Sequence, residues 1–162
     1  GRVIEISKVT PDQELGLPDG NWTRVCIFMN VFDVHVNRSP MSGQITYKNY
    51  IPGAFFNASL DKASSDNERL ILGMDTENGK KIAFVQIAGL VARRIICDVD
   101  IGSDLKAGDM FGLIRFGSRV DVYFPSEAST MVLVGQKMIA GETIVADFTK
   151  SSKSVKRKND EK

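Results

Sequence analysis

The chain has 162 residues, with 21 Lys and Arg against 20 Asp and Glu, and 43% of the residues are hydrophobic. These values are typical of one soluble globular domain and exclude a repeat array or an acidic disordered protein. The formal net charge of +1 gives no electrostatic reason to expect a nucleic-acid partner, because such proteins usually carry a basic excess. The longest apolar stretch, residues 82–92, is too short to cross a bilayer, which takes roughly 20 residues. Two cysteines and one histidine are too few for a disulfide scaffold or a conventional zinc site.

Short segments rich in Val, Ile, Phe and Tyr dominate the sequence and alternate with turns that contain Gly or Asn. We predict strands over residues 22–28, 44–47, 70–74, 81–88, 95–99, 110–116, 119–124 and 143–148. Asn78 and Gly79 give the strongest hairpin signal, so residues 77–80 should form a hairpin tip. Only residues 62–69 are compatible with a helical turn, and they carry no apolar stripe. The sequence therefore predicts an all-β fold, a compact barrel or sandwich of many short strands, resembling a barrel-sandwich hybrid, with little helix.

The C-terminal end differs from the rest in composition. From Ser151 onward, five basic residues stand against two acidic ones, and few apolar groups remain. We predict one domain over residues 1–149 and a disordered basic tail over residues 150–162. Two interpretations of the tail stay open, attraction to anionic lipid headgroups and a simple solvated terminus.

The single histidine, His35, is the first candidate for proton transfer near neutral pH. In an extended strand it would share a face with Asp33 and Asn37, because side chains two residues apart point the same way. A histidine beside a carboxylate is also common as a hydrogen-bonded structural residue. From this segment alone, both interpretations of His35 stay open.

Gly117 and Ser118 join two apolar, strand-like runs. One interpretation of this pair is a turn or bulge. The other is self-cleavage of the backbone, in which the serine hydroxyl attacks the carbonyl of the preceding residue after a base removes its proton. A glycine at that position lacks the Cβ that would crowd the attack.

Four segments, taken in this order, resemble the phosphatidylserine decarboxylases. They are residues 32–43 (FDVHVNRSPMSG), 50–53 (YIPG), 115–125 (RFGSRVDVYFP) and 134–143 (VGQKMIAGET). The resemblance is collinear from Gly1 to about Phe148. It is closest in length to the short prokaryotic form of these pyruvoyl-dependent enzymes, without the N-terminal segment of that form.

The resemblance implies a proenzyme that cuts itself between Gly117 and Ser118. His35 would activate the Ser118 hydroxyl, and the resulting ester would undergo β-elimination and lose ammonia. A covalent pyruvoyl group derived from Ser118 would then begin the C-terminal chain and serve as the cofactor, with no pyridoxal phosphate and no metal. The two cleaved chains would remain together as a heterodimer, with a homo-oligomer as a further option.

The implied reaction converts phosphatidylserine to phosphatidylethanolamine through a Schiff base between the substrate amine and the pyruvoyl carbonyl, with His35 as proton donor. In this family an aspartate orients the histidine, and it belongs to an Asp-Gly pair whose glycine matches Gly1. Because the sequence begins without Met, as if within a strand, we expect a piece of a longer chain that has this aspartate just before Gly1. Asp33 is a candidate for a partial substitute.

A phospholipid substrate implies a peripheral enzyme at an anionic membrane surface, expected on the cytoplasmic face of the bacterial cell membrane. Residues 50–56 form an apolar and aromatic turn, in which Phe55 and Phe56 either enter the membrane interface and bind substrate or pack in the core. Arg38, Arg115 and Arg119 are candidate phosphate ligands, because guanidinium groups match phosphate geometry.

Two alternatives to the enzyme stay open. Small carrier domains for lipoyl or biotinyl groups have similar Val-Gly turns, and Lys137 could be mistaken for their modified lysine. Carriers place that lysine on an exposed hairpin, however, and have no use for a Phe-Gly-Ser segment. The second alternative is a noncatalytic domain that keeps the fold without self-cleavage.

Overall fold

The structure is a computed structural model that describes residues 1–91 and 94–151. Its strands are β1 (Arg2–Val9), β2 (Trp22–Met29), β3 (Val36–Arg38), β4 (Gly43–Ile51), β5 (Arg69–Thr76), β6 (Lys81–Ile87), β7 (Ile95–Cys97), β8 (Asp104–Leu105), β9 (Met110–Ile114), β10 (Ser118–Pro125), β11 (Ala128–Thr130) and β12 (Ala146–Ser151). Helical structure in these ranges is limited to a 3-10 turn at Gln13–Leu15 and to α1 at Ala63–Asp66. The predicted all-β fold with little helix is confirmed.

In the described part of the chain, the strands form three sheets. The largest has seven strands in the order β1-β2-β10-β6-β5-β4-β8, a second contains β3-β9-β7, and a third pairs β11 with β12. Strand β10 lies inside the large sheet and pairs antiparallel with β2 on one side and β6 on the other. The sheets do not close into a barrel, so the sandwich is the architecture that the structure supports.

The interior strands of the large sheet are buried on both faces. On β6, Ile82 and Phe84 belong to the main core, whereas Ala83, Val85 and Ile87 belong to a second cluster. This explains why residues 82–88, with the exception of Gln86, are apolar throughout rather than alternating between apolar and polar. A third, smaller cluster contains Met29, Ala88 and Ile114, with Phe55 packed against it; we call it the crossing cluster.

The last predicted strand begins later than expected. The amides of Glu142 and Thr143 both donate to the Ile139 carbonyl, and the Thr143 hydroxyl accepts the Ile139 amide. These bonds hold residues 139–143 in a turn, so β12 starts only at Ala146. It continues to Ser151, which adds two residues of the predicted tail to the fold; the rest of that predicted tail lies outside the described residues.

Candidate active site

The chain passes from the three-stranded sheet into the seven-stranded sheet at residues 115–117. Strand β9 ends at Ile114, and β10 begins at Ser118. Gly117 has a φ of 67°, which is a left-handed conformation that glycine adopts more readily than other residues. The Gly117–Ser118 bond therefore lies at a sharp change of direction, at the start of an interior strand.

This crossing brings Ser118 next to His35. The Ser118 Oγ atom lies 3.4 Å from His35 Nδ1, although the two residues are 83 positions apart. Ser118 is fully buried, and His35 is 9% exposed. The separation is longer than a strong hydrogen bond, but it places a hydroxyl within reach of a base that can accept its proton. Such a pair is the basic arrangement of an activated nucleophile.

Elsewhere the His35 ring contacts an aromatic side chain, and the hydrogen-bonding capacity of its second nitrogen is not satisfied. The Phe116 ring meets it edge-on, with 5.4 Å between the ring centroids. His35 Nε2 is buried and has no hydrogen-bond partner among the described residues. A buried polar atom without a partner is unfavourable, so this nitrogen marks a position where a further polar group would stabilise the site.

Asp33 does not supply that group, and the predicted shared strand face of Asp33 and His35 is wrong. Strand β3 begins only at Val36. Before it, the Asn30 amide donates to Asp33 Oδ2 at 2.9 Å, and this bond closes a turn. The Phe32 amide also donates to Asn30 Oδ1 at 2.8 Å. This Asx-type bond favours a turn over an extended strand.

Arg119, the residue after Ser118, is fixed by a buried ion pair with Asp121. Both side chains are fully buried, and Arg119 donates through Nε and Nη2 to the two Asp121 carboxylate oxygens at 2.5 and 2.7 Å. Burial alone would lower the pKa of Arg119, but the hydrogen bonds and charge of Asp121 outweigh it and raise the pKa, so the guanidinium stays charged. The interpretation of Arg119 as a phosphate ligand is wrong, because Asp121 already holds its guanidinium in the interior.

The Gly117 carbonyl is approached very closely by Gly89, a residue that is not among the predicted site residues. A Cβ added to Gly89 would lie 1.7 Å from the Gly117 oxygen and 2.8 Å from its carbonyl carbon. No side chain fits in that space without displacing the carbonyl. The only sequence signal was a glycine directly after a buried strand, which by itself indicates a strand end as readily as a functional contact.

Asn67 holds the backbone on which Gly89 lies. This fully buried amide donates to the carbonyls of Ala88 and Phe56, both at 2.8 Å, and accepts the Phe56 amide at 3.0 Å. It therefore ties residue 88 to the segment that contains Phe55 and Phe56. The sequence gives no indication of this role for Asn67 either, since a polar residue before a strand gives no sign of burial.

The remaining predicted residues lie in different surroundings. Phe55 is half-buried against the crossing cluster, so the core-packing interpretation describes it best. Phe56 is 41% exposed, with Lys62 Nζ 4.2 Å from its ring centroid. Arg38 and Arg115 are exposed, and Arg38 donates to the Gly108 carbonyl at 2.8 Å. Substrate binding by Arg38, Phe55 and Phe56 stays a prediction.

The carrier interpretation finds no support in the geometry. Lys137 is exposed, but its backbone forms a bridge with Arg2, and the next residue, Met138, is 7% exposed. A carrier lysine would instead lie at a free hairpin tip. Residues 1–91 and 94–151 contain no cluster of three or more side chains suited to hold a metal ion. In the same ranges, no helix has the length and hydrophobicity needed to traverse a bilayer.

Comparison with known proteins decides the family. The sequence model of the phosphatidylserine decarboxylase family matches residues 1–146. The chain belongs to the phosphatidylserine decarboxylase family. The resemblance stated from the sequence is thereby confirmed. No solved structure matches the chain at a significant level.

Individual relatives in the phosphatidylserine decarboxylase family cover most of the chain. Proteins named phosphatidylserine decarboxylase proenzyme from Rickettsia akari (strain Hartford) and Rickettsia bellii (strain OSU 85-389) are each 57% identical to it over 148 residues. The protein of the same name from Rickettsia typhi (strain ATCC VR-144 / Wilmington) is 55% identical over 148 residues. Each alignment covers 91% of this chain but 64% of the relative, so the chain spans less than two thirds of the relatives' length.

Proposed function

We propose that this chain is the major part of a phosphatidylserine decarboxylase that matures by cutting itself between Gly117 and Ser118. The observation that carries the proposal is the buried contact of 3.4 Å between Ser118 Oγ and His35 Nδ1, in a chain of this family. The supporting features are the left-handed Gly117 and the tight approach of Gly89 to its carbonyl.

In the self-cleavage step, His35 accepts the Ser118 hydroxyl proton, and Oγ attacks the Gly117 carbonyl carbon. The amide bond between the two residues breaks as an ester forms, and the Ser118 nitrogen takes up the proton. Elimination then removes the proton from Cα of residue 118 and breaks the Cβ–Oγ bond, which releases Gly117 as a carboxylate and leaves a dehydroalanine at position 118. Addition of water to that residue releases ammonia and leaves a pyruvoyl group on Arg119.

The residues around position 118 suit a pyruvoyl group. The group would be the first residue of β10, held by the pairing of β10 with β2 and β6 and by the Arg119–Asp121 ion pair. Such a group supplies a carbonyl that accepts the electrons released when carbon dioxide leaves a bound amine. His35 Nδ1 would then return a proton to the substrate Cα, since it already lies within reach of the side chain at position 118.

The orienting group for His35 would come from the residue before Gly1, as the family resemblance implies. Two observations support this. His35 Nε2 is buried without a partner. A Cβ added to Gly1 would lie 3.2 Å from Met29 Cγ, and Met29 is the register partner of Ser118 on β2. The chain around Gly1 therefore passes close to the site, where a carboxylate could fix the tautomer and orientation of the imidazole.

The sheet pairing supports a heterodimer of cleaved chains. The part after Gly117 contributes β10, which lies between β2 and β6 of the other part. The backbones of Gly1 and Val3 also bond to Met138 and Gln136. These pairings persist when one bond at the start of β10 breaks. The same proposal includes a phospholipid as the substrate, the cytoplasmic side of the membrane as the place where the enzyme acts, and the association of heterodimers into a homo-oligomer.

The proposal is tested with the chain extended upstream to the length of its relatives. Intact mass under denaturing conditions should give two fragments that divide after Gly117, and the smaller fragment should react with a carbonyl reagent. His35→Ala and Ser118→Ala should leave the chain uncut, whereas Val34→Ala, at an exposed neighbouring position, should not affect cleavage. The cleaved protein should release carbon dioxide from phosphatidylserine vesicles.

Two results would contradict the proposal. Efficient cleavage of the His35→Ala variant would remove His35 from the mechanism. A wild-type chain that stays uncut at full length would favour the noncatalytic alternative.

A further inference from the structure

Asn37 and Gln86 form a buried pair of amide side chains near the start of β10, and the mechanism above does not use them. Gln86 Nε2 donates to Asn37 Oδ1 at 2.8 Å. Gln86 is fully buried, and Asn37 is 5% exposed. Gln86 Oε1 has no hydrogen-bond partner among the described residues. Buried amides are unfavourable unless they are hydrogen-bonded, so a pair with unused capacity indicates a role other than packing.

The pair lies across β10 at the position of the reactive residue. Met29 on β2 is the register partner of Ser118. Gln86 on β6 is the register partner of Val120, two residues further along β10. Register partners, and residues two apart on one strand, point to the same face of a sheet. Because Asn37 contacts both Gln86 and Met29, its amide lies over β10 on the face to which Ser118 points.

A backbone carbonyl sets the orientation of both amides. Gln86 Nε2 also donates to the Ile96 carbonyl at 3.3 Å. The nitrogen of Gln86 must face this oxygen, so Asn37 turns its own oxygen toward Gln86 and its Nδ2 away. Among the described residues, the partner of Nδ2 is the Met29 thioether at 3.7 Å, which is a weak acceptor for a group with two N–H bonds. Asn37 lines a cavity of about 500 Å³ on this side of the sheet, so a molecule that enters the cavity can reach this donor.

A carboxylate is the group of an amino-acid headgroup that suits this donor. The headgroup amine is itself a donor, so it gains nothing from a further N–H group. The carboxylate is attached to the same carbon as the amine, so it lies close to position 118 when the amine reacts there. Decarboxylation moves the negative charge away from the carboxylate, and a cationic side chain at this point would stabilise the substrate more than the transition state. A neutral amide fixes the direction of the carboxylate with less of this penalty.

We propose that Asn37, oriented by Gln86, donates through Nδ2 to the carboxylate of the lipid headgroup and so selects the substrate over the product. This inference rests on the proposed function, because it assumes that the headgroup amine reacts at position 118. After carbon dioxide has left, the product has no carboxylate to accept this hydrogen bond. The product therefore binds more weakly than the substrate and is released.

The test compares two ligands that differ in one group. Dihexanoyl phosphatidylserine and dihexanoyl phosphatidylethanolamine have the same acyl chains and phosphate, and the first also carries the carboxylate. The cleaved full-length protein is treated with borohydride, which reduces the pyruvoyl carbonyl to a hydroxyl, so that both ligands bind without reacting. Calorimetric titration below the aggregation concentrations then gives both dissociation constants. If the reduced protein binds neither ligand, KM for phosphatidylserine and the inhibition constant of phosphatidylethanolamine in unreduced protein give the same comparison.

Asn37→Leu removes the donor at nearly constant volume. It should raise the dissociation constant for phosphatidylserine at least about tenfold, the loss expected for a hydrogen bond to a charged group, and leave that for phosphatidylethanolamine within about twofold. If this variant does not fold, Asn37→Asp carries the test, because it keeps an acceptor for Gln86; it should weaken binding of phosphatidylserine at least as much, without weakening binding of phosphatidylethanolamine. Asn49→Leu is the matched control at a half-buried position of β4, where the side chain contacts the Glu14 carbonyl. It should leave both constants unchanged.

The two proposals fail in different ways. A wild-type chain that stays uncut, or a cleaved protein that releases no carbon dioxide before reduction, would refute the proposed function. Equal weakening of both ligands in a folded Asn37 variant would show that Asn37 only shapes the site, and would refute the headgroup inference alone. Unchanged binding of phosphatidylserine would refute it as well. A folded Asn37 variant that stays uncut, when the wild type is cleaved, would place the residue in self-cleavage and would also overturn the inference.

Discussion

The close approach of Gly89 to the Gly117 carbonyl leads to a specific prediction for self-cleavage. In Gly89→Ala, the new methyl group would lie 1.7 Å from the Gly117 oxygen, whereas ordinary contacts to carbon begin at about 3.5 Å. The carbonyl must therefore move by more than about 1 Å or rotate away from Ser118. A displacement of about 1 Å at a reacting group can lower a rate about 100-fold. We expect Gly89→Ala to slow cleavage between Gly117 and Ser118 by at least that factor.

The assay follows the fraction of cleaved full-length chain over time by intact mass, starting from freshly translated protein. Leu90→Ala, at the adjacent and 63% exposed position, serves as the control and should be cleaved at the wild-type rate. Circular dichroism and a thermal melt separate a local effect from loss of the fold. Cleavage of folded Gly89→Ala at the wild-type rate would refute the reasoning, because the carbonyl would then tolerate the displacement or not be the reacting group.

Three further predictions concern the interior around the site. Asp121→Ala leaves Arg119 charged and buried, so it should lower the free energy of unfolding by about 3–5 kcal/mol in urea denaturation. The joint exchange of Arg119→Met with Asp121→Leu should recover most of that loss, because it removes both charges. Equal losses in the single and the double variant would contradict this. Asn67→Ala removes the partners of buried backbone groups and should lower the free energy of unfolding by about 3 kcal/mol in the same assay, whereas an unchanged transition midpoint would contradict it. Burial raises the pKa of the Cys26 and Cys97 thiols, so both stay protonated at pH 8. Alkylation of the native protein by iodoacetamide should therefore be slow, and slower at fully buried Cys26 than at half-buried Cys97. Rapid modification of Cys26 in the folded protein would contradict this.

Several strand positions were predictable because those strands carry their own local signal. Residues 81–88 are mostly apolar and include three β-branched residues, and Asn78 with Gly79 marks the turn before them. The structure places β6 at Lys81–Ile87. Short strands such as β8, with only two residues, leave no such pattern, because their pairing depends on neighbours that are distant in the sequence.

The site was predictable only in part. The resemblance indicated Ser118 and His35, and the structure brings these two together across 83 residues. The shared face of Asp33 and His35 is wrong because strand periodicity does not continue through a segment that is turned by the Asx-type bond from the Phe32 amide to Asn30 Oδ1. Gly89 and Asn67 were missed because their importance comes from tertiary contacts, and neither residue type announces such a contact in the sequence.

The two sides of the Gly117–Ser118 bond are held very differently, and this bears on how a buried residue could meet a substrate. From position 118 onward, the chain is fixed in the interior of a sheet and by the Arg119 ion pair. On the other side, Arg115 is exposed and Phe116 is 48% exposed, and the Phe116 ring covers His35. If the bond is cut as proposed, the fixed side keeps the new group in place, while the exposed side is free to move away and uncover both it and His35. Cleavage at this bond would then both begin the formation of the reactive group and open the space in which a lipid headgroup can reach it.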